Sequence, residues 1–252
     1  MNGSVLAGLL DTAARRGAAY WVLLDPDRVP AAELEERAAL CVEAGADAIL
    51  IGTSLTLLFD HSAVYQAVRR RAPVPLLTFP GTGSHVSPLA DAILFLSMVS
   101  SRNPELLIGE HVRAAPRLKQ CGVEVIPTAY LLIESGTLTS VQYMSGSLPI
   151  PRAKSDIAMA HALAAQFLGM KLVYLEAGSG TREPVPDAMI SDVCAYCSLP
   201  VIVGGGIRDA AVARAKVAAG ARCVVTGNLV EEPLQELGPR LRDLAAAVHV
   251  SG

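Results

Sequence analysis

The sequence predicts a single (β/α)₈ TIM barrel, modified by loss of its third helix to an irregular segment, and three observations carry that prediction. The chain has 252 residues, close to the roughly 250 of one complete eight-fold α/β barrel. It is 52% hydrophobic and 18% charged, the composition of parallel strands covered on both faces, which read as continuous apolar runs. Short β-rich runs alternate with helical patterns from end to end, and that alternation implies parallel strands joined by crossovers. No linker, low-complexity tract or composition shift interrupts it, so residues 1–252 read as one domain.

In chain order, MNGSVLAGLLDTAARRGAAYW comes first. It has no basic region ahead of its apolar stretch and no clear cleavage site, so it reads as a helix rather than a targeting signal. Strands are expected near 20–25, 47–52, 74–79, 91–97, 123–129, 171–176, 199–204 and 222–227. Helical patterns lie between them at 30–44, 60–71, 104–120, 155–169, 186–197, 209–219 and 232–248. In the first of these, Leu34, Ala38, Cys41 and Val42 recur at helical spacing and Gly45 supplies the stop. After the third strand, PGTGSHVSPLA carries two prolines and several turn formers. That segment cannot hold a regular helix. Residues 130–153, with Gly136, Gly146, Pro149 and Pro151, read as a long functional loop.

Composition also narrows the partners. The net charge of −3 provides no broad electrostatic footprint for nucleic acid or an anionic membrane. Five cysteines in no framework spacing suit a reducing compartment, and a cytoplasmic protein is expected. No window reaches about 18 uninterrupted apolar residues, so no transmembrane segment is expected. Transient contact with membrane lipid stays compatible with the sequence. Cys194 and Cys197 have redox-like spacing but fall inside a helical pattern with no second ligand pair, so they read as packing residues.

Residues at the carboxyl ends of barrel strands face the active site, and here those ends are polar. VIVGGGIRDA followed by VVTGNLVEE sets glycines on the last two strands, where main-chain N–H groups can approach a phosphate. Phosphate binding through Gly205, Gly206, Gly227 and Asn228 follows, with helix N-termini behind them. In LLDPDR and IGTS, Asp25 and a hydroxyl from Thr53 or Ser54 come from neighbouring strand ends. Such oxygen ligands suit Mg²⁺, which takes one or two carboxylates and keeps waters and substrate phosphate oxygens. An Asp-Pro-Asp turn serves equally well to cap the following helix, through Asp27 ahead of Pro30. In YLEAGSGTREP, Glu176 ends an apolar strand before a small, flexible run, poised to accept a proton from a substrate hydroxyl. The alternative is a buried salt bridge. Tyr174, two residues earlier on the same face, can add a phenolic contact or simply pack.

These segments resemble the geranylgeranylglyceryl phosphate synthases, in the branch found in many archaea and some bacteria (group II). The carrying motifs are LLDPDR (23–28), IGTS (51–54), FPGTGSHVSPLADAILFLSMVSSRNPELLIGEH (79–111), IPTAYLLIESG (126–136), PIPRAKSDIA (149–158), FLGMKLVYLEAGSG (167–180), VGGGIR (203–208) and TGN (226–228). The resemblance implies Mg²⁺-dependent transfer of a geranylgeranyl group from its diphosphate to the primary hydroxyl of sn-glycerol 1-phosphate. It carries over Asp25 and Ser54 as the metal site. For the glycerol-phosphate site it carries over Tyr174, Leu175, Glu176, Ala177, Gly178, Ser179, Gly180, Gly205, Gly206, Gly227 and Asn228, with Glu176 and Tyr174 catalytic. It also implies a homo-oligomer, dimer or hexamer, and an apolar slot for the prenyl tail beside the fourth strand and the LSMVSS loop. IGTS departs from the more usual paired glycines, which leaves Thr53 able to share the metal role. Leu23 stands where another branch has lysine, and Arg28 is a candidate replacement for that diphosphate contact. A related prenyltransferase with another chain length or a phosphoglycerate acceptor is the first alternative, and a noncatalytic phosphometabolite-binding barrel the second.

Overall fold

A computed structural model describes residues 4–55 and 61–250. Eight parallel strands close in sequence order into one barrel. They are β1 Ala19–Leu24, β2 Ala48–Ile51, β3 Leu76–Thr78, β4 Ala92–Ser97, β5 Glu124–Leu132, β6 Leu172–Glu176, β7 Val201–Gly204 and β8 Cys223–Thr226. The helices are α1 Ser4–Arg16, α2 Leu34–Glu43, α3 His61–Arg71, α4 Glu110–Cys121, α5 Ser140–Ser145, α6 Ser155–Phe167, α7 Asp187–Tyr196, α8 Ala210–Ala218 and α9 Leu234–Val248. β1 pairs with β8 on one side and β2 on the other, which closes the ring.

Alternation along the strands divides the core into two layers. Trp21, Leu50, Leu77, Leu94, Tyr174 and Ile202 point into the barrel, while Tyr20, Val22, Ile49, Val173 and Val203 pack outward against helices. Leu9 and Ala13 of α1 belong to the inner layer, so this helix closes the amino-terminal mouth of the barrel. Its first turn is fixed by Glu124 at the start of β5, whose carboxylate accepts the Val5 and Leu6 N–H groups at 2.7 and 3.1 Å. An anion there satisfies orphan donors and complements the helix dipole. With α1 over the amino-terminal mouth, the cavities of the barrel lie at the carboxyl ends of the strands.

Between β3 and β4 there is no helix. Residues 79–91 run as turns instead, pinned by the Gly81 N–H donating to His85 Nδ1 at 3.1 Å and the Gly83 N–H donating to the Glu110 carboxylate. Gly81 passes so close to β2 that a Cβ there would lie 2.4 Å from the Thr53 carbonyl oxygen. On the far side of β4 a π-turn, Glu105–Gly109, leads into α4. The missing helix leaves the outer face of β4, at Ile93 and Phe95, facing a cavity that α4 bounds through Ala114.

The segment expected to be irregular over 130–153 is more ordered than its glycines and prolines suggest. β5 continues through Tyr130, Leu131 and Leu132, pairing with β6 as far as Glu176. Ile133 then bridges Ile150, and α5 forms inside the loop, capped by Thr139 through its hydroxyl and the Gln142 N–H at 3.3 Å. The buried apolar run 129–133 outweighs the turn signals on either side of it. Among the described residues no helix is long and apolar enough to cross a membrane.

Candidate active site

The upper ends of β6, β7 and β8 enclose a cavity of about 260 Å³. Glu176 closes β6 opposite Gly204 of β7. It is buried and meets no cation among the described residues: one carboxylate oxygen accepts the Gly178 N–H at 2.6 Å, and the Tyr174 hydroxyl supplies a second contact. Burial pushes its carboxyl up to about 7, against the lowering effect of both hydrogen bonds. Burial and the neighbouring Glu176 charge hold the Tyr174 phenol well above its ordinary value, so it stays a donor. A carboxyl in this setting exchanges its proton near neutrality.

Gly205 and Gly206 turn the chain with φ of 84° and 72°, the left-handed region that favours glycine. A Cβ on Gly205 would lie 2.5 Å from the Glu176 carboxylate. Gly227 differs, because a Cβ there would make only ordinary contact with Leu23 at 3.5 Å. Asn228 ties the loops together. Its Oδ1 accepts the Gly180 N–H at 2.7 Å and the Ser179 hydroxyl at 3.1 Å, while its Nδ2 donates to Glu231 at 3.1 Å. Arg37, buried under this turn, donates to the carbonyls of Val230 and Glu232 and holds the short 3₁₀ segment after β8 in place.

A second cavity, of about 330 Å³, adjoins the first and shares Ser54, Phe79, Tyr130, Gly227 and Asn228 with it. At its polar end stand Asp25, Thr53, Ser54 and Glu231. Asp25 accepts the Asp27 N–H at 3.0 Å and contacts the Thr53 hydroxyl, yet burial still raises its carboxyl above the usual range. Burial raises Glu231 too, and the Asp25 charge adds to the shift. Two carboxylates and two hydroxyls on one cavity wall fit Mg²⁺, which takes few protein ligands and completes its shell with water and phosphate oxygens. No cluster of three or more His, Cys, Asp or Glu with metal-binding geometry occurs among the described residues. Asp27 does not cap the next helix: its start at Pro30 has no side-chain cap.

From that polar end the cavity runs past Phe79 and Tyr130 into an apolar slot lined by Val86, Ile93, Phe95, Met98, Leu106 and Ala114. The slot occupies the place of the missing helix. Phe79, Tyr130 and Tyr174 form an aromatic cluster at the junction, with ring centroids 5.5 to 6.3 Å apart.

Of the residues expected at the acceptor site, Tyr174, Glu176, Ser179, Gly180, Gly205, Gly206, Gly227 and Asn228 line the smaller cavity. Leu175 and Ala177 do not: both side chains belong to the outer layer, as strand alternation demands, and leave only their main chain near the site. Gly178 gives its N–H to Glu176. Asp25 and Ser54 line the larger cavity together. Among the described residues, the Cys194 and Cys197 thiols bond to carbonyl oxygens of neighbouring elements and to Gln166, as packing residues do. Sequence reasoning passed over Glu231, Arg37, Arg208 and Arg240. Arg208 had a signal in closing the VGGGIR motif, whereas Arg37 and Arg240 reach the site from helices distant in sequence.

A family model described as the PcrB family matches residues 12–246. The chain belongs to this family. A relative from Chitinophaga pinensis named geranylgeranylglyceryl phosphate synthase is 43% identical over 251 residues, covering 100% of this chain and 98% of that protein. One of the same name from Thermococcus kodakarensis is 45% identical, covering 84% of each. The barrel is similar to the crystal structure of (S)-3-O-geranylgeranylglyceryl phosphate synthase from Thermoplasma acidophilum in complex with sn-glycerol-1-phosphate. That match has a TM-score of 0.89 and 33% identity, covering 96% of this chain and 98% of that one. As a PcrB family member of the geranylgeranylglyceryl phosphate synthase type, the protein is a prenyltransferase. An enzyme, not a noncatalytic binding barrel, is the answer to the choice left open by the sequence.

Proposed function

We propose that this PcrB family enzyme transfers a geranylgeranyl group from geranylgeranyl diphosphate to the primary hydroxyl of sn-glycerol 1-phosphate, with Mg²⁺ at Asp25 and Ser54. The observation that carries the reading is the pair of joined cavities: a glycine-walled pocket holding Glu176 opens directly into an apolar slot with a carboxylate-bearing mouth. A small phosphorylated alcohol and a long apolar chain with an anionic head match those two shapes. The ligand named for the Thermoplasma acidophilum relative, sn-glycerol-1-phosphate, supports the choice of acceptor.

The acceptor's phosphate would meet the main-chain N–H groups of the β7 and β8 turns, which carry no side chain to obstruct it. Its hydroxyl would then lie against Glu176. The prenyl tail would fill the slot between β4 and α4, leaving its diphosphate at the mouth near Asp25, Thr53 and Ser54. When bound, Mg²⁺ would supply neutralisation of the departing diphosphate. As the allylic C–O bond ionises, the apolar walls keep water from the cation. The acceptor oxygen bonds to the allylic carbon, Glu176 accepts its proton, and inorganic diphosphate leaves. Tyr174 keeps the carboxylate aimed by donating to it.

³¹P NMR of the purified enzyme with both substrates and Mg²⁺ tests the reaction. Inorganic diphosphate should accumulate only when both substrates are present. Release at the same rate without an acceptor would make the protein a hydrolase and refute the transfer.

A further inference from the structure

We infer that Arg208 is the cationic residue that makes the β7–β8 pocket select a phosphate-bearing acceptor, its guanidinium donating to the anion alongside the glycine main chain. The inference rests on the reading that this pocket holds the acceptor, and adds to it the source of charge selectivity. Four charged side chains line the pocket: Glu176, Arg208, Glu232 and Arg240. Arg240 is already neutralised by its ion pair with Glu232. Arg208 has no carboxylate within ion-pair distance among the described residues. Without it, a dianionic phosphate would enter a pocket whose remaining charged groups are two carboxylates and one paired cation.

The geometry of Arg208 suits the task. Its Nη2 donates to the carbonyls of Gly180 and Thr181 at 2.7 and 3.2 Å, fixing the side chain at the pocket edge beside the Ser179–Gly180 turn. Its own carbonyl accepts from Arg240 at 3.1 Å, so the backbone below it is held as well. Guanidinium carries five N–H donors in a rigid fork. Tethering through Nη2 leaves Nε and Nη1 with no partner within the described chain. A pre-positioned cation with unused donors is suited to bidentate recognition of phosphate.

Calorimetric titration of the wild type, Arg208→Met and Arg208→Lys with inorganic phosphate and with sn-glycerol 1-phosphate, at low and high ionic strength, tests this. Arg208→Met should weaken both ligands by roughly ten- to a hundred-fold, as loss of charge-assisted hydrogen bonds does. Arg208→Lys should recover part of the loss, and the wild type should lose more affinity to salt than the Met variant. KM for the prenyl diphosphate should not change. Affinity of a folded Arg208→Met within about two-fold of wild type overturns the inference. So do a Lys variant no tighter than Met and equal salt dependence in wild type and Met, which would make Arg208 a tether for the 180–181 turn. A wild type that binds neither ligand refutes the reading of the pocket itself, and this inference with it.

Discussion

Replacing Glu176 with glutamine separates proton transfer from positioning at the site. Glutamine keeps an oxygen to accept the Gly178 N–H, now 2.6 Å away, and an amide to face the Tyr174 hydroxyl, but it cannot take a proton. A general base contributes on the order of 10²–10⁴-fold, so single-turnover transfer should fall by that range with acceptor affinity little changed. If Glu176 only orients the hydroxyl for an already formed cation, the loss should be nearer that of one charged hydrogen bond, about 10–100-fold. The wild-type rate should rise with pH through about 7 as the carboxyl ionises, and Glu176→Gln should lose that limb. Stability moves the opposite way. The folded carboxyl holds its proton up to about 7, against an ordinary value of 4.5, so its contribution is full below 4.5 and lost as pH rises through 7. Thermal melts should therefore show the variant gaining on the wild type as pH rises from 4.5 to about 7. A correctly folded Glu176→Gln with wild-type turnover and an unchanged pH profile would refute the base.

Three other perturbations probe the rest of the site. Asp25→Asn should abolish most turnover and weaken Mn²⁺ binding measured by electron paramagnetic resonance, while calorimetric affinity for sn-glycerol 1-phosphate stays close to wild type; unchanged Mn²⁺ binding would remove Asp25 from the metal site. Gly227→Asp should reduce phosphate binding at least about ten-fold in a folded protein, because a Cβ meets only ordinary contacts there and the added carboxylate repels the anion. Gly206 is a poorer test position, since φ is 72° and a Cβ would lie 3.0 Å from the Pro184 nitrogen. Ala114→Phe should fill the slot beside Phe95 and Ile93, raising KM for long prenyl diphosphates several-fold while shorter ones still react; equal effects at every length would place the tail elsewhere.

Most of the barrel was legible because its signals are local. Each strand is a short apolar run closed by a polar or glycine residue, and VGGGIR marks the turn after β7, where Gly205 and Gly206 take positive φ. Pro80 and Pro88 likewise announced that no helix could follow β3. What escaped were features that depend on tertiary packing. Tyr130 and Leu132 read as loop until β6 and Ser100 supply partners, the Ser100 hydroxyl accepting the Leu132 N–H at 3.0 Å. Ala177 follows Glu176 in a polar-looking motif, yet strand alternation turns it into the outer layer. Arg37 sits in an ordinary amphipathic helix, and only folding brings it to the carbonyls beneath Asn228, 193 and 195 residues away from its two acceptors. The surroundings of Asp25 are likewise tertiary, with Thr53 and Glu231 arriving from other strand ends.

The proposed reaction joins a C₂₀ prenyl chain to sn-glycerol 1-phosphate. Its most direct test is mass spectrometry of products from a competition containing prenyl diphosphates of several lengths with sn-glycerol 1-phosphate, sn-glycerol 3-phosphate and 3-phosphoglycerate, the two glycerol phosphates supplied with distinct isotopic labels. Geranylgeranylglyceryl phosphate carrying the label of sn-glycerol 1-phosphate should be the dominant product. A dominant product of another chain length, or one built on sn-glycerol 3-phosphate or phosphoglycerate, would contradict it.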